Sequence, residues 1–312
     1  MPLVPARPVP EWPVPEWSSR RVDTRSVAGP RAVRRSRFLR SSRSRYSVLL
    51  TLLLLSMGGC LGDRRIELPS DTLLERGQLR IFHDFDLPEE HRLVAELVAL
   101  RNDLYGPLGL AGSDEPIRVY LFEDEAKFRA YVAEHYPEFP VRRAFFLRSD
   151  TVLRVFAYWG EQVGDDLRHE TTHAYLHAVV PQIPLWLDEG LAELHELPRG
   201  NDGFQSDHVR LLARRRLEGS WVPDLDRLEQ LRSSGDMAQI DYAEAWLWTH
   251  FLLTGAEPRR EWLARRFAVG RATGRFEPLA GELASSEGDL RGAIEAHLEG
   301  LISRLEVDSP PR

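Results

Sequence analysis

Apolar residues recur at two periods along this chain, and the change from one to the other divides it. Residues 78–85 and 117–122 alternate apolar and polar positions as strands do. Residues 89–105 place Leu93, Leu97, Leu100 and Leu104 at helical spacing, and 125–135 reads as a second helix. Two strand-like runs, 143–147 and 151–159, meet around Ser149 and Asp150 as a hairpin. A helix follows from about Asp165, a turn bounded by Pro181 and Pro184 stops it, and a second apolar, helix-forming run begins at Leu185. Beyond Glu196 the periodicity is helical almost to the end, over roughly 205–218, 224–233, 237–254, 258–270 and 287–306. The order predicts an α+β fold: a small mixed sheet beside the helix at 165, followed by a mainly helical C-terminal half. There is no repeat of solenoid period, no Gly-rich phosphate loop and no Gly-x-Ser-x-Gly, so nucleotide and serine-hydrolase chemistry find no support.

The first sixty residues fit neither period. Pro-Val-Pro-Glu-Trp stands twice in tandem at 8–12 and 13–17, and prolines at that density build neither helix nor inner strand. Residues 31–46 hold seven arginines and no acid; an apolar run of about 11 residues then leads to Gly58, Gly59 and Cys60. Basic, apolar and small-residue parts in that order make a secretory signal, and the apolar run is too short to span a membrane, which takes about 20 residues. The small residues before Cys60, the one cysteine of the chain, resemble a bacterial lipobox, which implies export to the cell envelope and a lipid anchor at Cys60. With a single cysteine there is no internal disulfide. The expected organisation is a disordered leader (1–46), a signal core and lipobox (47–59), an α+β part (60–200) and a helical part (201–312).

Cleavage before Cys60 changes the charge picture. The chain carries 41 basic and 48 acidic side chains; without the leader 30 face 45, a net charge near −15. Such a surface argues against nucleic acid and against electrostatic adhesion to anionic lipid, leaving the lipid itself as the membrane attachment.

The chemistry concentrates in 165–196. His169-Glu170-Thr171-Thr172-His173 puts two imidazoles four residues apart, on one face of a helix, where both reach one metal ion. Glu170 stands where a general base would meet the attacking water. The run after the turn, Leu185-Trp186-Leu187-Asp188-Glu189-Gly190-Leu191-Ala192-Glu193, returns a helix able to bring Glu189 against the two histidines. His177 continues the series but lies about 6 Å along the axis, which suits packing or a hydrogen bond to the ligand set better than ligation. Asp188 and Glu196 read as solvated or capping carboxylates, because Asp188 is turned about 100° from Glu189 and Glu196 lies two turns on. His195 reads as a surface or half-buried histidine.

These residues resemble the gluzincin metallopeptidases, in which HExxH is followed by a helix carrying W-L-x-E-G-x-A, and are similar to small bacterial envelope proteins with a peptidase-like HExxH domain. The resemblance spans about 30 residues of the 312. It implies a zincin-like fold, Zn2+ on His169, His173 and Glu189, Glu170 as general base, Glu193 orienting a zinc-bound histidine, and a peptide or protein substrate. It departs in spacing, with 15 residues between His173 and Glu189, a few fewer than in the best-known members, and in lacking Gly-x-Met-Glu-Asn, so trimming of free amino termini is not implied. In zincins the strand upstream commonly forms the edge along which substrate pairs; 153–158 is that strand here, and a core strand is the equal alternative. Members of the group place an oxyanion donor some fifty residues after the ligand Glu. Tyr242, 53 residues on, is either that donor or a packed core residue, with His250 a lesser candidate. The expectation is zinc-dependent peptide-bond hydrolysis by an exported, lipid-anchored protein; the alternative is an inactive zincin-fold lipoprotein that binds or scaffolds.

Overall fold

The computed structural model describes residues 67–149, 152–255 and 257–308. The expected leader, signal core and Cys60 lie outside the described residues. No helix among the described residues is long and apolar enough to cross a membrane.

The sheet begins with a hairpin, β1 (Thr72–Arg76) and β2 (Leu79–His83), turning at Gly77, whose φ of 57° suits a residue without a Cβ. β1 escapes the hydrophobic pattern because it is an edge strand that buries only Leu74. α1 (Arg92–Leu108) follows and buries Leu93, Leu97, Leu100 and Leu104, the predicted stripe. β3 (Ile117–Phe122) returns parallel to β2, and α2 (Glu125–His135) is capped by Asp124, whose carboxylate accepts from Lys127 N at 2.8 Å. The predicted hairpin forms as β4 (Ala144–Ser149) and β5 (Val152–Tyr158), with β5 inserted beside β3. The strand order is β1-β2-β3-β5-β4, parallel in the middle and antiparallel at both margins.

The two faces of this sheet differ in chemistry. One is aliphatic, with Ile81, Val119 and Val155 in register and buried under α1 and the helix after β5. The other is aromatic: Phe82, Tyr120, Phe156 and Phe145 stack in sequence across four strands at 5.1, 5.2 and 4.7 Å, and α2 covers them with Phe128 and Tyr131. Both faces are covered past the row of Arg80, Arg118 and Arg154, which is why β3 buries four consecutive residues there.

α3 (Val163–His177) lies against β4 and β5, and α4 (Leu185–His195) folds back beside it. The helical half supplies α5 (Ser206–Leu217), α6 (Leu225–Gln230), α7 (Gln239–Thr254), α8 (Glu257–Thr273), α9 (Ala280–Glu287) and α10 (Leu290–Asp308). The apolar spacing does not announce α9, because it is short and only Ala280 and Leu283 are buried along it. α7 is buried nearly all round, carrying Trp246 and Trp248, and α4 packs directly on it. Its Glu244 is fully buried yet satisfied, accepting from Trp221 Nε1, Asp224 N and Arg227 Nη2. The described residues from Leu68 onward form one compact unit.

Candidate metal centre

α3 is pinned before it presents anything. Tyr105 donates its hydroxyl to Tyr175 O at 2.6 Å and Tyr175 donates to Leu97 O at 3.0 Å, tying α3 to α1. Arg168, buried one position before the first histidine, donates to Glu196 O (2.6 Å), Glu96 Oε2 (3.0 Å) and Asp165 Oδ1 (2.6 Å). It clamps the end of α4 to α1 and α3. A lone arginine in a helix carries no signal of this in sequence.

His169 and His173 lie on one face with ring centroids 5.0 Å apart. Glu189 Oε2 on α4 stands 3.6 Å from His169 Nε2 and 3.7 Å from His173 Nε2. One ligand atom from each of the three lies within 4.8 Å of the others. For metal–ligand bonds of about 2.0–2.1 Å, tetrahedral ligand atoms stand about 3.4 Å apart, so Glu189 stands within a few tenths of an ångström of that spacing from each imidazole.

The nitrogens pointing away from Glu189 are also engaged. His169 Nδ1 donates to Glu196 Oε2 at 3.3 Å, and Glu196 Oε1 accepts from Gln205 Nε2 at 2.7 Å. His173 Nδ1 sits 3.1 Å from Asp188 Oδ1, while Asp188 Oδ2 accepts from His177 Nε2 at 2.9 Å. These contacts engage Nδ1 in both rings, so the proton that leaves when a metal binds is the one on Nε2 facing Glu189, which gives the tautomer a metal requires.

This corrects the expectation for Asp188 and Glu196. Asp188 is 9 % exposed rather than solvated, and Glu196 faces His169. The reason is that α4 leans across α3, so two neighbouring positions on α4 both meet it. Glu193, expected to orient a histidine, instead accepts from His208 Nε2 of α5 at 2.8 Å; its carboxylate stays within 4.8 Å of His169 and Glu196, but Glu196 makes the hydrogen bond. His177 takes the hydrogen-bonding place beside the ligand set.

The electrostatics follow from burial among opposed charges. Burial opposes charge on both histidines, yet Glu189 and Glu196 hold His169 well above its ordinary range, and Asp188 and Glu189 lift His173 to about 9. Glu189 resists burial through the same imidazoles and is held low. Glu170 is raised, chiefly by burial and further by Glu189, against the pull of the two histidines and Arg142. A raised carboxyl beside the ligand set is suited to holding and passing a proton.

Tyr242, in the first turn of α7, is half-buried and donates to Ser234 O at 3.4 Å. Burial, with the charge of Glu189, pushes its phenol up to about 12, so it stays a donor at neutral pH. His250, two turns on and about 12 Å along the axis, is buried against His297 Nε2 at 2.9 Å and Trp246, and is not at the centre. Of the two readings left open for 153–158, the core strand holds: β5 is paired on both sides, and the edge is β4, whose Phe146 ring stacks on His173 and His177 at 6.3 and 5.5 Å. The hairpin turns the later strand inward to pair with β3, which leaves the earlier one outside.

No family model and no curated protein sequence matches the chain. Among solved structures it is similar to an M1 zinc metallopeptidase from Deinococcus radiodurans, with a TM-score of 0.32 and 18 % identity over 75 % of this chain. The match spans 51 % of that structure's length. A likeness this distant carries no function across, and the chemistry is read from the side chains.

Proposed function

We propose that the protein is a zinc-dependent peptidase with a zincin-like fold, exported and held at the membrane by lipid on Cys60. The observation that carries the enzymatic part is the convergence of His169 Nε2 and His173 Nε2 on Glu189 Oε2 at 3.6 and 3.7 Å, with a buried Glu170 next in line. A donor set of two imidazoles and one carboxylate is one that zinc favours. Bound there, zinc supplies Lewis acidity toward a carbonyl and lowers the pKa of a water. Glu170, its pKa raised, takes the proton of the attacking water and returns it to the leaving amine. Tyr242, neutral and close enough to Glu189 to feel its charge, donates to the oxyanion that develops. The open side of β4 offers main-chain hydrogen bonds to an extended peptide beside His173.

The test is metal content and cleavage of an unfolded protein by the purified full chain. About one zinc per chain, lost in His173→Ala, with cleavage abolished and zinc retained in Glu170→Gln, is the expected result. Zinc without cleavage in the wild type would instead favour a binding role, and no zinc would end the metal reading. Anchoring is tested separately: Cys60→Ala should move the protein from the membrane fraction to the soluble one.

A further inference from the structure

One cation at the rim of the centre has no part in the chemistry above. Arg142 stands in the loop before β4, two residues ahead of the edge strand, and is exposed. Its Nη2 donates to Ser234 Oγ at 3.4 Å, and the carbonyl of the same Ser234 accepts the Tyr242 hydroxyl at 3.4 Å. Arg142 and Tyr242 thus meet over one residue. The charge of Arg142 reaches inward as well, drawing the Glu170 carboxyl and the Tyr242 phenol downward against burial.

Among the described residues Arg142 enters no ion pair. The nearby arginines are committed: Arg143 closes on Asp166 at 2.8 Å, and Arg168 on Glu96 and Asp165 at 3.0 and 2.6 Å. The other charged groups facing the centre are Glu170, Asp188, Glu189, Glu193 and Glu196 with the ligand histidines. Apart from the imidazoles and a metal they would hold, Arg142 is the cation near these carboxylates whose own contacts are with neutral groups. A guanidinium is planar, permanently charged and able to give a carboxylate two parallel N–H donors. The neutral partners of this one, a serine hydroxyl and a phenol, leave it able to turn toward a ligand.

We propose that Arg142 is a specificity-determining residue, binding a carboxylate of a peptide laid along the β4 edge. The peptide is then held at its charged group beside Tyr242 and Ser234 rather than by its amino end. The direction of the peptide rests on the peptidase reading; the ion pair does not. A terminal carboxylate and an acidic side chain present the same chemistry, and the experiment separates them.

Three pools of N-acetylated pentapeptides, random apart from the omission of Asp and Glu, are dialysed to equilibrium against the zinc-loaded full chain carrying Glu170→Gln: one with a free carboxylate end, one with a carboxamide end, and one with a carboxamide end preceded by a fixed Glu. A carboxylate pool should be retained about tenfold over the plain carboxamide pool. Whichever carboxylate pool leads identifies the source. Arg142→Met should abolish the preference, Arg142→Lys should keep part of it, and salt should weaken it. Equal retention of all pools, retention of none, or a preference that survives Arg142→Met overturns the proposal. The same pools are then offered to protein with Glu170 intact. A preference without cleavage would sink the peptidase reading and leave the ion pair standing; cleavage without preference would do the reverse.

Discussion

His169 and His173 each meet a carboxylate on the nitrogen that faces away from Glu189: Glu196 for His169 and Asp188 for His173. Under the zinc reading these partners would act on metal affinity through the tautomer and ring angle, without touching the metal. Glu196→Gln and Asp188→Asn should each weaken zinc binding roughly 10–100-fold, measured by competition with a chelator, while the circular dichroism spectrum stays unchanged. The same residues make metal uptake pH-dependent. His173 in the metal-free protein keeps its proton up to about pH 9, and His169 is raised well above its ordinary value, so zinc must displace protons to bind. Affinity should therefore climb as pH rises toward about 9. Calorimetry at about pH 7.5 in two buffers of different ionisation enthalpy should report proton release on binding. Stability of the metal-free protein runs the opposite way. A folded pKa above the unfolded one stabilises fully below the ordinary 6.5 and is lost as pH rises through about 9. The metal-free melting temperature should fall over that window while zinc binding strengthens.

At the scale of elements, the position of Glu189 depends on how closely α4 approaches α7. Gly190 follows the ligand directly, and a Cβ there would stand 2.4 Å from Ala245 O and 2.3 Å from Thr249 Oγ1. Backbone on one side and a buried side chain on the other leave no room to yield. Gly190→Ala should cost about 1–3 kcal/mol, read as a lower melting temperature. It should also weaken zinc binding, because the helix that recoils carries Glu189. A substitution at Gly281, also helical but with nothing within 4 Å of its Cβ position, is the control and should be nearly neutral. The glycine in the Glu-Gly pair is thus explained by helix packing rather than by chemistry.

For the whole molecule, the centre is a joint between parts. α3 and α4 give the candidate ligands His169, His173 and Glu189, α7 carries Tyr242, and the loop before the sheet edge carries Arg142. A metal bound by the folded chain alone stabilises it by mass action. Chelation should lower the melting temperature by the equivalent of about 4 kcal/mol when free zinc had stood a thousandfold above its dissociation constant. A second test concerns acid. His250 on α7 and His297 on α10 share a buried contact at 2.9 Å, and burial lowers both to about 4, reinforced at His250 by His297 and at His297 by Arg259. Both stay neutral in the fold while the unfolded chain takes up protons near 6.5, so stability should fall as pH drops from 6.5 toward 4. His297→Gln should flatten that slope in a pH series of thermal melts.

Local information settled much of this protein. The pattern of apolar residues located α1, β3, α2, the β4–β5 hairpin and most C-terminal helices, because the outer elements bury one face, which is written in the spacing, and the inner ones bury both, which leaves an apolar run. The pair His169 and His173 was legible for the same reason, since four residues on a helix share a side whatever surrounds them. Other features depended on angles between elements that no local pattern records. The lean of α4 over α3 turned Asp188 and Glu196 from expected surface carboxylates into partners of His173 and His169, and moved Glu193 to His208. The order of strands, decided by which partner β5 could pair with across the sheet, made β4 the edge. Arg142 reached the centre from a loop with no periodicity at all. Sequence alone determines what repeats within a helix or a strand, because that geometry is set by the backbone; only the tertiary structure decides which of those faces meet, because that depends on packing between residues far apart in the chain.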